Sequence, residues 1–383
     1  MPKRLYMVID ARADHSMRVP RPDLSVKFGT PNACTGCHLH QTDPWAAEAV
    51  ATWYPESRHR GAHFAETLAA QSTGEADAGS RLAEVAMDPD VPGIVRASAV
   101  DRLRFTAGPR HLALLPELVA DSDPLVRTAA LRLLERADLR NQIELGWPLL
   151  QDPERVVRIE AARALAPLLR QPLPETLREQ LDRAIEEYVR AEQVNAERPE
   201  AQVNLGNLFV AIGDLDSAAR SYRSAIGLDA AFMPAYVNLA DLYRVQQRDE
   251  DGERVLRAGL AVEAQNAGLQ HALGLLLARG QRLDEALPHL RLAASAAPEQ
   301  PRYVYVYGLA LQRTGDTAEA LAVLERGRAR HPADRDLLLA LATMYRDSGE
   351  LQAARQYAED LMIRYPDDVG LQNLRRELGP HDR

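Results

Sequence analysis

Aromatic residues make up only 5% of the 383 positions, and long β-branched runs are rare, whereas alanine, leucine, arginine and glutamate abound. That balance favours helix over strand, so an all-α fold is expected. Positive charge is not in surplus either. With a net charge of −9 the chain has no basic stripe to neutralise phosphates, which makes nucleic acid and anionic membrane surfaces poor partners. No stretch reaches the roughly 18 consecutive apolar residues of a membrane span. The opening MPKRLYMVIDARADHS has too short an apolar core, too closely followed by charge, to be a secretory signal. A glycine-rich phosphate loop, an H-E-x-x-H pair and a nucleophile elbow are all missing, so an enzyme is not the expectation. Cysteine is scarcest: there are two, Cys34 and Cys37, and they stand three positions apart.

What the chain has in quantity is repetition. Ala184, Ala218, Gly252, Ala286, Ala320 and Ala354 recur every 34 residues. A second set of small residues, Gly206, Ala240, Gly274, Gly308 and Ala342, keeps the same period, and each pair frames a helix, a turn and a helix. Small side chains at these points let two antiparallel helices approach closely. Leu205, Leu239, Leu273 and Leu341 then fill the space between neighbouring pairs, and Pro298, Pro332 and Pro366 end second helices. These segments resemble tetratricopeptide repeats, five units over residues 199–368 with a half-unit, LDRAIEEYVRA, before them.

A second period precedes the first. DPDVPGIVRASAVDRL, DSDPLVRTAALRLLE and DPERVVRIEAARALAPL place Arg96, Arg127 and Arg158 every 31 residues, each after an aspartate-proline turn and before an Ala/Leu-rich helix. The pattern resembles bacterial HEAT repeats, in which the Asp and Arg commonly link successive units. The expected organisation is a haem-binding module over 1–64, HEAT-like repeats over 65–172 and a tetratricopeptide-repeat domain over 176–375. Pro172 and Pro174, in RQPLPETLREQ, mark the joint between the two solenoids.

Cys34-Thr35-Gly36-Cys37-His38 is the c-type haem attachment pattern. Two thiols one turn apart can each form a thioether with a haem vinyl group, and the following histidine is placed to coordinate iron. The rival is a zinc site, since His59 and His63 follow with H-x₃-H spacing, although the interval from Cys37 to His59 exceeds the usual 12–15 residues. A third reading is a pair of reduced buried thiols.

Residues 1–55 resemble a segment of large multihaem c-type cytochromes that carry C-terminal tetratricopeptide repeats. The likeness rests on the Met1-Pro2 start, on DHSMRVPRPDLS and on the CTGCH motif itself. It implies covalent haem c at Cys34 and Cys37, iron ligation by His38, and a sequence that is the C-terminal part of a longer exported, periplasmic protein. It also points to His15 as a candidate for the second axial ligand. His63 is ligand-capable and His59 a weaker alternative. His40 reads more plainly as a solvated loop histidine, and Met7 and Met17 as packing residues. Trp45, Ala49 and Trp53 share a helical face, more simply a core stripe than a porphyrin contact.

Stacked repeats make a concave surface lined mainly by first helices. The tetratricopeptide frame puts Asn204, Asn207, Asn238, Asp241 and Tyr305 on it, with His271 and Arg313, and amide side chains there can hold an extended peptide. Tyr303 and Tyr307 are expected at the repeat interface, and His289, His331 and His381 on the surface. The positions matching the basic residues of a carboxylate clamp are Val203 and Val237, which argues against such a clamp. The expected function is therefore electron transfer by a haem c module fused to a scaffold that docks a redox partner protein or peptide. The alternatives are a pure interaction scaffold without haem in this chain, and a fragment of a multihaem oxidoreductase.

Overall fold

The computed structural model describes residues 3–6, 10–13, 19–73, 75, 77–105, 108–365 and 368–379. Two compact units are present, Met1–Ala69 and Ala70–Arg383. His15, Met7, Met17, Pro366 and His381 fall outside the described residues.

The smaller unit begins with β1 (Lys3–Tyr6) and β2 (Asp10–Ala13), an antiparallel pair in which Lys3 faces Ala13 and Tyr6 faces Asp10. This ribbon is the one departure from the all-α expectation among the described residues. Helix α1 (Pro22–Phe28) packs on α2 (Asp43–Trp53), and α3 (Phe64–Thr73) follows. Proline at the start and Gly29 at φ +65° after the end delimit α1, because proline needs no N–H partner there and glycine enters the left-handed region without strain.

The larger unit is an all-α solenoid. Its first part contains α4 (Ala78–Met87), α5 (Gly93–Leu103), α6 (Pro109–Leu112), α7 (Leu115–Leu118), α8 (Pro124–Leu134), α9 (Leu139–Gly146) and α10 (Arg155–Leu165). The arginines found at 31-residue intervals sit near the starts of α5, α8 and α10, and each reaches forward to an acid of the next unit. Arg96 pairs with Asp121, Arg127 with Asp152 through two bonds of 2.8 and 3.0 Å, and Arg158 with Glu187 at 2.8 and 2.9 Å. Arg127 also donates to the carbonyls of Asp121 and Ser122, so one guanidinium ties two turns together. Glu187 closes the last rung from α11 (Glu175–Gln193), where no aspartate-proline turn remains to do so.

Helix α11 packs on both α10 and α12, and the two repeat arrays lie in one compact unit. Five hairpins follow: α12 (Pro199–Ile212) with α13 (Leu215–Leu228), α14 (Met233–Val245) with α15 (Asp249–Val262), and α16 (Ala267–Arg279) with α17 (Leu283–Ala296). The last two are α18 (Pro301–Arg313) with α19 (Thr317–Arg330) and α20 (Arg335–Asp347) with α21 (Leu351–Arg364), before the final α22 (Val369–Leu378). Ala218, Ala286, Ala320 and Ala354 are all fully buried, as the close approach of paired helices requires. At Gly206 the approach is closest: a Cβ there would lie 2.3 Å from the Tyr222 ring.

The turn inside each hairpin also repeats. Gly213, Gln247, Gln281, Gly315 and Gly349, again 34 apart, all hold positive φ, between +58° and +92°. Glycine tolerates that conformation, whereas a Cβ makes it costly by roughly 1–2 kcal/mol. Gln247→Gly is therefore expected to stabilise the solenoid by about 1 kcal/mol, partly offset by the looser unfolded chain. Urea melts of the single variant check this, and no gain would mean that the glutamine side chain offsets the strain.

Charge pairing gives the larger unit a defined acid limit. Burial opposes ionisation of Asp121, but hydrogen bonds from Arg96 and the Asp123 N–H outweigh it and hold its pKa below the usual carboxylate value. Bonds from Arg158, Arg282 and Arg335 do the same for Glu187, Glu253 and Asp368. For groups whose folded pKa is depressed, the stabilisation is fully present above the unfolded pKa, about 4, and disappears as pH falls through the folded value. Thermal stability should hold above about pH 5 and drop steeply below about pH 4. A melting temperature unchanged down to about pH 3 would show that these pairs contribute little.

Candidate functional site

Two places concentrate chemistry, one in each unit. In the smaller unit the chain turns tightly through Cys34–His38: the Cys37 and His38 N–H groups donate to the Cys34 carbonyl at 3.1 and 2.8 Å. Asn32 braces this turn from outside. Its Oδ1 accepts from the Cys34 and Thr35 N–H groups at 2.9 and 3.1 Å, and its amide donates to Asp43 Oδ1 at 2.6 Å. Thr35 Oγ1 donates to the same carboxylate oxygen at 3.1 Å. The turn is thus fixed to the start of α2 by polar contacts that use neither thiol nor imidazole.

Both cysteines are free thiols, Cys34 half-buried and Cys37 exposed, which sets aside the reading of a buried pair. His38 is exposed with its ring centre 5.1 Å from that of Trp45. Leu39 and Trp53 are largely exposed, at 77% and 66%. Trp53 is therefore no part of a core stripe; Ala46, on the same helix, is the residue that is buried.

His63 sits half-buried against Phe64, and its Nδ1 accepts from the Ala65 N–H at 3.1 Å. Burial, with Arg21 nearby, lowers its pKa. His59 is exposed, and its carbonyl accepts from Arg21 at 2.7 Å. Among the described residues no three His, Cys, Asp or Glu side chains gather as a metal-binding group, so Cys34, Cys37, His59 and His63 are not assembled as a zinc quartet. His40 is exposed, and His15 lies outside the described residues.

In the larger unit the first helices α14, α16 and α18 enclose a groove of about 500 Å³. Its walls are apolar, with Met233, Val237, Leu275 and Leu276, and its polar lining includes Asn238, Asp241, His271, Arg279 and Arg302. Successive first helices pack on one another elsewhere in the array, but α16 and α18 approach less closely, which opens the space.

Of the concave residues expected from sequence, Asn238 and Asp241 line this groove. Asn204 and Asn207 line a second depression of about 460 Å³, beside Tyr188 and Arg163. Asn207 is already engaged, accepting from Tyr222 Oη at 2.7 Å and from the Asn238 amide at 3.0 Å. Arg313 donates to Gln281 at 3.2 Å.

The tyrosines and histidines of the later repeats sit partly where expected and partly not. Tyr305 is half-buried against the C-terminal core cluster rather than open to the groove, because α20 packs over it. Tyr303 lies between repeats as expected, its ring centre 4.4 Å from that of His271 in the preceding repeat, and it also lines the groove. His271 lines the groove, as its place on the concave face implies, but it is buried there, 7% exposed, and neither ring nitrogen has a hydrogen-bond partner among the described residues. Burial, reinforced by the charge of Arg302, lowers its pKa to about 4, so the imidazole is neutral near pH 7. His289 and His331 are half-buried, bonded to Gln270 and to the Pro298 carbonyl.

No curated protein matches this chain. Among solved structures, YrrB, described as a TPR protein with an unusual peptide-binding site, is 21% identical over 49% of this chain and 96% of its own, with a TM-score of 0.38. PilF of Pseudomonas aeruginosa is 22% identical over 47% of this chain and 82% of its own, with a TM-score of 0.42. PilW, described as a widely conserved type IV pilus biogenesis factor, is 18% identical over 57% and 98%, also at 0.42. The tetratricopeptide repeat profile matches residues 178–231 and 305–369, which run from α11 to α13 and from α18 to the start of α22. The larger unit is accordingly an all-α solenoid of tetratricopeptide-repeat type over those stretches.

Proposed function

We propose that this chain is an interaction scaffold that docks a partner polypeptide in the concave groove of α14, α16 and α18. The observation that carries this reading is the groove itself, formed by first helices of three successive repeats, with apolar walls and polar groups at intervals. Apolar surface supplies the driving force for association, and convergent polar groups supply orientation. Leu275 is half-buried on the groove wall, outside the packed clusters. Leu275→Trp should fill the groove and abolish partner binding while the melting temperature stays within a few degrees of the parent. Binding unaffected by this filling would remove the docking reading.

A second function is favoured by the Cys34–His38 turn: covalent attachment of a c-type haem, with the protein serving electron transfer. What supports it is a braced turn that presents two free thiols and an imidazole together, beside the exposed apolar side chain of Leu39 and the ring of Trp45. Bound there, the group would supply one-electron redox chemistry. Cys34 and Cys37 would provide the thioether links and His38 an iron ligand, with His63 and His15 as candidates for a second ligand. Asn32 and Asp43 would keep the turn in place, and Trp45 would set the plane of the His38 ring. Attachment of this kind takes place outside the cytoplasm, so this reading entails an exported protein.

A further inference from the structure

The groove is not neutral in its chemistry. Asp241 is its one acidic side chain, and Arg244 already pairs with it at 3.2 Å. Arg279 and Arg302 also line the groove, and among the described residues neither has an ion-pair or hydrogen-bond partner. Two guanidiniums without a direct partner therefore line one cleft in a chain whose net charge is −9, with Asp241 and Asp249 acting on Arg279 only from a distance. His271 belongs to the same wall but is buried against the Tyr303 ring, and its ring nitrogens present no surface to the cleft.

Resting on the docking reading above, we propose that the groove reads an acidic side chain, an aspartate or glutamate set among apolar residues, on the docked polypeptide. Arg279 and Arg302 each offer a planar fork of donors that matches a carboxylate. Met233, Val237, Leu275 and Leu276 take the apolar flanks. The chain's overall negative charge repels acidic segments from the rest of its surface, so the preference is confined to this cleft.

The probe is a library of random dodecapeptides displayed on phage, selected on the full chain and counter-selected on Leu275→Trp to keep only groove binders. Selected peptides should share an Asp or Glu flanked by apolar residues. Their affinity should fall at least tenfold on changing that residue to Asn or Gln, and at least tenfold on Arg279→Gln with Arg302→Gln. These two arginines are exposed, so the double variant keeps the fold. Groove-specific peptides that lack an acid, or that are indifferent to the arginine changes, would overturn this proposal and leave docking intact. Failure to select any groove-specific peptide would overturn both.

Discussion

Cys34→Ala combined with Cys37→Ala is expected to abolish covalent haem completely in protein exported through a host that matures c-type cytochromes. The solenoid's melting transition should not move. The reason for so absolute an effect is that thioether attachment has no substitute donor: these are the chain's only two cysteines. The reason for the unchanged stability is structural, because the turn is braced by Asn32, Thr35 and Asp43 rather than by either thiol. A pyridine haemochrome spectrum reads the first outcome and a thermal melt the second. Single substitutions should retain a weaker, one-link attachment. Asn32→Ala, which leaves both thiols in place, should lower haem yield by loosening the turn. Parent protein that matures without covalent haem would end the electron-transfer reading and leave the docking scaffold standing.

Asp152→Ala should be strongly destabilising. Asp152 and Arg127 are almost entirely buried, with side chains 5% and 11% exposed, and they join through two parallel bonds. Asp152 also accepts from the Glu154 N–H at 2.8 Å, which shapes the turn before α10. Removing the carboxylate strands a buried guanidinium, a change that costs about 3–5 kcal/mol. The double variant Asp152→Ala with Arg127→Leu should recover part of that loss, since no unpaired charge then remains. By contrast, breaking the exposed Arg140 and Glu144 pair, at 83% and 55% exposure, should cost no more than about 0.5 kcal/mol. Urea unfolding of the three variants distinguishes these cases. Equal, small effects would show that the arginine ladder follows the repeat without holding it.

The repeats were legible because their cause is local and periodic: wherever two helices must touch, the sequence has to supply a small residue, and it does so every 34 positions. The turns were less legible. Gln247 and Gln281 occupy the same left-handed position as Gly213, and the side chain alone gives no hint of it. Glu187 was hidden for a similar reason, since it completes the arginine ladder from a long helix without the aspartate-proline turn that marks the other rungs. β1 and β2 are four residues each, too short for an alternation to stand out. At the candidate sites, residue types were readable and surroundings were not. The CTGCH spacing names its own chemistry, but Asn32 and Asp43 as its brace emerge only when the turn is folded onto α2. His271 looks like a surface histidine by sequence. Its burial arises from Tyr303, which lies 32 positions away and is contributed by the next repeat. Tyr305 was misplaced by the same limitation, because α20 rather than its own helix decides where it packs.

The most direct measurement of partner docking is site-specific photo-crosslinking in the cells that make this protein. A benzophenone side chain would stand at Leu275 in the groove and, separately, at Leu292, which is exposed on the second helix α17. The account predicts a discrete crosslinked polypeptide from position 275, lost on Arg279→Gln with Arg302→Gln, and none from position 292. Crosslinking from 292 but not from 275 would contradict it, by placing the partner on the opposite kind of surface.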